Sequence, residues 1–249
     1  MIFKDLEGKS AIILGGGGSV GRPILEAFLN AGIFVYMISR RASKIKIGSD
    51  NCKFIDIDMN DEKSIDLFFK KDFSIKPSIF VNAAYFRDSN KNSDYSLSAW
   101  KEAVSINSSA AYLWYSKVTN FFIVNNIRGN LINISSIYGY INAHPKLYEN
   151  LNMNTEPHYP FVKAGLSALN RYFSVNFGKN KIRYNIIILG GVLNNQPKEF
   201  IDRYCKKVPL NRMAKPKDLM GLCLFLASDA AGYITGAEIP LDGGLLISR

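Results

Sequence analysis

The 249-residue sequence has few of the residues on which several common kinds of site depend. Its three cysteines, Cys52, Cys205 and Cys223, are far apart in the sequence, which excludes a paired zinc or redox motif and indicates reduced thiols. With only two histidines, His144 and His158, a histidine-rich metal centre is not expected. No apolar run reaches membrane-spanning length. We therefore expect a cytoplasmic protein without a metal or a membrane segment.

Acidic residues are also in the minority, because 31 lysine and arginine residues outnumber 21 aspartate and glutamate residues and give a net charge of +10. Such a charge is typical of proteins that bind nucleic acid. Here, however, the lysines are scattered along the chain and form no block interleaved with aromatic residues. We expect a solvated basic surface and no nucleic-acid partner, with an anionic small substrate as the secondary alternative.

Short apolar segments of strand length alternate with segments of helical pattern along the whole chain. Strands are predicted at 10–14, 33–38, 53–58, 78–82, 129–134, 182–189 and 237–241, and helices at 22–31, 61–71, 98–125, 159–177 and 216–228. This alternation predicts the α/β class, with a doubly wound parallel sheet and helices on both faces. We expect a single Rossmann-fold domain over residues 1–249, without repeats or linkers.

A glycine-rich turn, Gly15-Gly-Gly-Gly-Ser-Val-Gly21, separates the first strand from the first helix. Glycines let the backbone approach a pyrophosphate, and the helix amino end supplies N–H donors. The second strand ends at Ser39-Arg40-Arg41, where an acid would bind the ribose hydroxyls of NAD. A hydroxyl and two arginines suit a 2′-phosphate instead. The sequence therefore favours NADP(H) over NAD(H).

Tyr159 and Lys163 are four residues apart at the start of a predicted helix, so their side chains share one helical face. A nearby cation stabilises a phenolate and lowers the pKa of the tyrosine, which suits acid–base catalysis near neutral pH. Taken alone, the pair favours the simpler interpretation, an amphipathic helix that carries a surface lysine, and the rest of the chain reverses this.

Together these segments resemble the motifs of the short-chain dehydrogenase/reductase family, in the same order and over essentially the whole chain. The matching segments are Leu14 to Gly21, Asp58-Met59-Asn60-Asp61, Asn82-Ala83-Ala84-Tyr85, Ser105-Ile106-Asn107, Ser135-Ser136, the pair Tyr159 and Lys163, Leu189-Gly190-Gly191-Val192 and Ile234 to Gly244. The resemblance implies an NAD(P)-dependent oxidoreductase that moves a hydride between nicotinamide and a carbonyl or alcohol carbon. It also implies a homodimer or homotetramer.

The resemblance further implies roles for individual residues. Tyr159 would exchange a proton with the substrate oxygen, and Lys163 would lower the tyrosine pKa and bind the nicotinamide ribose. Ser136 would hydrogen-bond the reacting oxygen, and Asn107 would hold a water that links Lys163 to solvent. The implied cofactor-binding residues are Gly15, Gly17, Ser19, Val20, Gly21, Ser39, Arg40, Asp58, Met59, Asn82, Ala83, Ala84, Lys163, Gly190 and Val192.

The chain departs from the family pattern at several positions. Ser19 replaces the middle glycine of the phosphate turn, and Leu189 replaces the usual proline. The interval between Ser136 and Tyr159 is longer than in most members, and the added residues fall at about 140–158. A long irregular segment at this place is typical of a substrate lid, so we expect an enlarged substrate loop and a substrate type of the chain's own.

A closer resemblance is to oxidoreductases found with bacterial flagellin modification and legionaminic-type sugar biosynthesis. It rests on Ala84-Tyr85-Phe86-Arg87, Ser136 to Gly139, the long loop with Tyr148-Glu149, and Gly190 to Pro197. It implies an amino-sugar or sugar-phosphate substrate, with Arg87, Tyr138 and Tyr148 as candidate contacts. Two alternatives stay open: a reductase of 3-oxoacyl-carrier protein or another small ketone, and a non-catalytic cofactor sensor or scaffold.

Overall fold

The computed structural model describes residues 3–45, 47–85 and 96–248. Seven strands form one parallel sheet in the order β3-β2-β1-β4-β5-β6-β7. Their bounds are β1 Ser10–Leu14, β2 Phe34–Ser39, β3 Cys52–Asp56, β4 Ile79–Asn82, β5 Asn130–Ser136, β6 Arg183–Leu189 and β7 Glu238–Leu241. The predicted doubly wound sheet is confirmed.

The helices cover both faces of this sheet, which explains why its central strands are continuous apolar runs. Their bounds are α1 Gly21–Asn30, α2 Glu62–Phe69, α3 Leu97–Val104, α4 Ala110–Val124, α5 His158–Phe177, α6 Lys198–Cys205 and α7 Asp218–Ala227. Along β1, Ile13 packs with α1 and α7 on one face, and Ile12 packs with α2, α4 and α5 on the other. The side chains of β1 are therefore buried on both faces of the sheet.

Two sequence predictions about helices are wrong. The segment predicted as one helix over 98–125 is two helices, α3 and α4, joined by a π-helical turn at Ser105–Ser109. Such turns often mark functional sites within helices. Helix α6 was not predicted at all, although Phe200 and Tyr204, four residues apart, form its buried face.

The strand order indicates where on the sheet a ligand is expected. From β1 the chain adds β2 and β3 on one side, then crosses from β3 to β4 on the other side of β1, and ligands of open α/β sheets bind in the crevice at this reversal. Residues at or just after the strand ends, where parallel strands meet the same edge, are Gly15, Ser39, Asn82, Ser136 and Leu189. All of them except Ser39 lie in the segments matched by the family motifs.

Within the described ranges, no helix combines the length and apolar character needed to cross a membrane. The same part of the chain has no group of three or more histidine, cysteine, aspartate or glutamate side chains placed to hold a metal ion.

Candidate active site

The glycine turn after β1 is built so tightly that side chains are excluded from it. Gly15 has φ +75°, and a Cβ atom there would lie 2.7 Å from the Cα atom of Ala84. A Cβ atom on Gly21 would lie 2.2 Å from the carbonyl oxygen of Gly15. The turn thus leads directly into the amino end of α1, which is the geometry that receives a phosphate. A Cβ atom on Gly17 would lie 2.2 Å from the Cδ1 atom of Ile45.

A first cavity of about 240 Å³ opens beside this turn. It is lined by Gly15, Gly18, Ser39, Arg40, Asp58, Met59, Asn60, Ala83, Ala84, Tyr85 and Ile106. Asp58 is fixed at the cavity by the backbone N–H of Asn60, which donates to its carboxylate at 3.0 Å. The size and the mixed polar and apolar lining fit the adenosine part of a dinucleotide. Arg41 is not among the lining residues.

A second cavity, of about 380 Å³, continues the crevice toward the carboxyl ends of β5 and β6. Its lining includes Ser19, Val20, Tyr85, Ser136, Tyr138, Tyr148, Tyr159, Gly190 and Val192. Tyr85 lines both cavities and therefore stands at their junction. The predicted cofactor segments and the predicted Ser136 and Tyr159 thus face one continuous crevice, as hydride transfer requires.

Lys163 lies behind Tyr159 in a closed environment. Its side-chain nitrogen is 5.7 Å from the centre of the Tyr159 ring and 5.2 Å from that of Tyr85, and it donates a hydrogen bond to the carbonyl oxygen of Ile134 at 3.0 Å. The residue is only 5% exposed. Burial lowers the pKa of Lys163 to about 8, because the charged form loses its hydration.

Tyr159 is held between two other tyrosines. The Tyr85 ring meets it edge to face, with centres 5.0 Å apart and planes at 90°, and the Tyr138 ring lies at 6.3 Å and 80°. Tyr138 is itself fixed by a hydrogen bond of 2.9 Å between its hydroxyl and that of Tyr148, and its backbone N–H donates to Ser136 Oγ at 3.2 Å. Burial raises the pKa of Tyr138. Packing therefore determines the ring position of Tyr159.

Two predicted asparagines lie behind the cavity walls. Asn107 is buried in the π-helical turn, and its side-chain amide donates to the carbonyl oxygen of Ala103 at 2.9 Å. Asn82 is buried at the end of β4, where its side-chain oxygen accepts a hydrogen bond from the N–H of Ala84 at 3.3 Å. Both amides support the backbone around the crevice. The predicted substrate contact Arg87 lies outside the described residues.

Several cavity residues were missed by the sequence analysis. Tyr204, from α6, accepts a hydrogen bond from the N–H of Gly191 at 2.5 Å and lines the second cavity with Phe200. Glu156 and Gln196 also line it. The spacing of apolar residues in α6 was a usable signal for the first two. The last two lie in the predicted substrate loop and in the segment Gly190 to Pro197, but neither was predicted as a site residue.

Comparison with known proteins identifies the family. A family model described as "Enoyl-(Acyl carrier protein) reductase" matches residues 17–246. The chain belongs to the short-chain dehydrogenase/reductase family. As a member it is an NAD(P)-dependent oxidoreductase that acts on small molecules.

Three relatives of this short-chain dehydrogenase/reductase cover almost all of its length. Glucose 1-dehydrogenase 2 of Bacillus subtilis is 24% identical over 99% of this chain and 98% of that protein. Post-translational flagellin modification protein A of Campylobacter coli is 27% identical over 96% of this chain and 98% of that protein. A crystal structure of a short-chain dehydrogenase from Leptospira borgpetersenii with bound NAD+ has a TM-score of 0.88 and 28% identity, covering 96% of this chain and 93% of that chain.

Proposed function

We propose that this enzyme interconverts a carbonyl and an alcohol on an amino-sugar or sugar-phosphate precursor of a bacterial surface glycan, with NADP(H) as cofactor. The observation that carries the proposal is the position of Tyr159, which lines the second cavity together with Ser136 and has the buried Lys163 behind it. When bound, the nicotinamide supplies or accepts the hydride. The protein's own part is to hold the substrate oxygen and to move one proton.

In the direction of reduction, the Tyr159 hydroxyl gives its proton to the substrate oxygen as the carbonyl carbon gains the hydride. The Ser136 hydroxyl donates a hydrogen bond to that oxygen and stabilises the charge that develops on it. Lys163, close to the Tyr159 ring, stabilises the resulting phenolate while it is protonated. Asn107 holds the backbone of the π-helical turn. A water bound at this turn would return a proton to Lys163.

The preference for NADP(H) rests on Ser39 and Arg40. Both line the first cavity beside Asp58, and no acid follows β2 directly to bind ribose hydroxyls. Titration of the protein with NADPH and NADH, followed by fluorescence, tests this. We expect NADPH to bind more tightly, and Arg40→Ala to weaken NADPH binding by about 10- to 100-fold with little effect on NADH. Arg41→Ala, outside the cavity, is the control, and tighter NADH binding contradicts the assignment.

A sugar substrate is supported by the polar character of the second cavity. Side chains with hydroxyl, amide or carboxyl groups make up much of its lining, including Tyr148, Asn154, Thr155, Asn194 and Gln196. A simple ketone needs few such groups, whereas a polyhydroxylated ring can pair with many. The similarity to the Campylobacter coli protein named for flagellin modification supports the same substrate class. Turnover of sugars in preference to unsubstituted alcohols tests it.

A second candidate substrate is an acyl thioester. A cavity of about 790 Å³ adjoins the second cavity at Tyr138 and Tyr204, and its lining combines apolar residues with Lys206 and Lys207. Such a surface fits an acyl chain beside an anionic carrier. (3R)-3-hydroxyacyl-CoA dehydrogenase of Homo sapiens is 27% identical over 70% of this chain. Faster turnover of acetoacetyl thioester than of any sugar would favour this candidate.

We also propose a homodimer or homotetramer that pairs through α4 and α5. These helices expose large apolar side chains, among them Tyr112, Val124, Tyr172 and Val175, which is 82% exposed. Burial of this surface against a second copy would remove it from water. Light scattering after size exclusion tests the proposal: a mass of twice or four times 27.9 kDa is expected, and a monomer contradicts it.

A further inference from the structure

Glu156 lies two residues before α5 and lines the second cavity, as does the proposed acid–base residue Tyr159. Its side chain lines that cavity and is 21% exposed. The backbone N–H of Tyr159 donates to the main-chain oxygen of Glu156 at 3.0 Å, so the two residues are fixed in one turn of backbone. The main chain of Glu156 is thus held against that of Tyr159 by the first turn of the helix.

His158 holds the Glu156 carboxylate from the protein side. Its Nε2 atom lies 3.3 Å from Glu156 Oε2 and 3.1 Å from the Tyr85 hydroxyl. The His158 side chain is buried, and Tyr85 in turn packs edge to face on Tyr159. This carboxylate oxygen lies within ion-pair distance of the imidazole, and no other side chain among the described residues pairs with Glu156. The second oxygen is left for a ligand.

The charge of Glu156 distinguishes it within the second cavity. Among the described residues that line this cavity, it is the one with a formal charge. An ionised carboxylate accepts hydrogen bonds and donates none. It attracts an ammonium group and disfavours a phosphate placed against it. Among the described residues of this cavity, the Glu156 carboxylate therefore disfavours a sugar phosphate whose phosphate group would lie against it.

We propose that Glu156 determines substrate specificity by accepting a hydrogen bond from an amino group on the ring of a sugar bound in the second cavity. Hydroxyl groups at the same position bind more weakly, because they carry no charge. The inference rests on the proposed function and narrows it from two substrate classes to amino sugars. His158 and Tyr85 act as positioning residues for this carboxylate.

The test compares Glu156→Gln with the unchanged enzyme on matched substrates, using NADP+ as oxidant. Glucosamine and galactosamine are the amino sugars, glucose and galactose their hydroxyl counterparts, and cyclohexanol a substrate without further polar groups. We expect kcat/KM for the amino sugars to fall by about 10- to 100-fold, mainly through KM, because a hydrogen bond between charged groups is lost. The loss for the hydroxyl sugars should be smaller. Cyclohexanol turnover and NADPH affinity should not change.

Glu149→Gln is the matched control, because Glu149 is an exposed acid in the same loop and does not line the cavity. An equal loss for all substrates, cyclohexanol included, would assign Glu156 a merely structural role and overturn the inference. Unchanged preference between amino and hydroxyl sugars would also overturn it. Turnover of cyclohexanol without turnover of any sugar would instead refute the proposed sugar substrate, and the inference with it.

Discussion

The side-chain nitrogen of Lys163 and the main-chain oxygen of Ile134 lie 3.0 Å apart in a region closed to solvent. This hydrogen bond joins α5 to β5 one turn below Tyr159. It satisfies one of the three N–H donors of the ammonium, which is fewer than water would satisfy. Consequently the protonated lysine is held near the phenol ring at a cost to the stability of the folded chain.

Because of this cost, we expect Lys163→Met to raise the stability of the protein and to lower its activity. Burial lowers the pKa of Lys163 from 10.5 to about 8, so the unfolded chain binds this proton more tightly than the folded one. The contribution of the group to stability is therefore least favourable below pH 8 and improves as pH rises toward 10.5. At pH 7 the free energy of unfolding of the variant should be higher by about 1 to 3 kcal/mol, and its activity should be lower.

Urea unfolding at several pH values measures this difference. The advantage of Lys163→Met should be constant from pH 6 to 7 and shrink between pH 8 and pH 10. A matched substitution, Lys179→Met in the exposed turn after α5, should show no such trend. A stability difference that does not vary with pH would contradict the role of burial.

Tyr204→Phe should destabilise the segment that follows β6. The Tyr204 hydroxyl accepts the Gly191 N–H at 2.5 Å, and burial raises the pKa of this tyrosine to about 12, so the hydroxyl stays protonated. Without it the buried N–H loses its partner, which costs about 1 to 3 kcal/mol. Thermal and urea unfolding measure the loss. Tyr233→Phe, at a fully exposed tyrosine, serves as control and should leave stability unchanged, and equal stability of both variants would refute the assignment.

The strands and the cofactor crevice could be predicted because their signals are local. Ser10–Leu14, predicted with the observed bounds, is a run of apolar residues that ends in glycine. Ser39 and Ser136 were placed correctly at the sheet edge, because parallel strands all end there. The order of the motifs along the chain then gave the family, which the comparisons confirm.

The second cavity could be predicted only in part, because its walls come from segments distant in sequence. Tyr85 and His158 meet only after β4 and the start of α5 pack together. The π-helical turn around Asn107 lies between α3 and α4 without a break in the helical residues, so an uninterrupted helix was predicted. Helix α6 follows a proline and is only eight residues long, and its short local pattern was overlooked. The contact between Tyr85 and His158 is therefore the feature that tertiary packing decides.

Arg203→Met should loosen the substrate loop without affecting the chemical step. The Arg203 guanidinium donates to the carbonyl oxygens of Lys146 at 3.1 Å and Glu149 at 2.6 Å, and it pairs with Glu199 of the same helix. It thus links α6 to the loop that carries Tyr148, beside the packing of the Tyr148 ring on Phe200. Without it we expect KM to rise about 3- to 10-fold, as for one or two lost hydrogen bonds, and kcat to change less.

Hydrogen exchange of residues 140–158 checks this effect on the loop directly. Exchange should be faster in Arg203→Met and unchanged in Lys198→Met, which alters an exposed lysine at the start of the same helix. Unchanged exchange together with an unchanged KM would show that the loop is held by its apolar contacts, such as Leu147 and Tyr148.

Tyr159→Phe separates catalysis from cofactor binding. The substitution removes one hydroxyl and keeps the ring that packs between Tyr85 and Tyr138, so the crevice should keep its shape. Loss of the proton-transfer group should lower kcat by about 100- to 10,000-fold, whereas NADPH affinity should change less than about twofold, since an edge-to-face ring contact does not need the hydroxyl. Tyr172→Phe, on the exposed side of the same helix, is the control. If both variants kept full activity, Tyr159 would not be the proton donor, and the chemistry would have to be assigned to another group in the cavity.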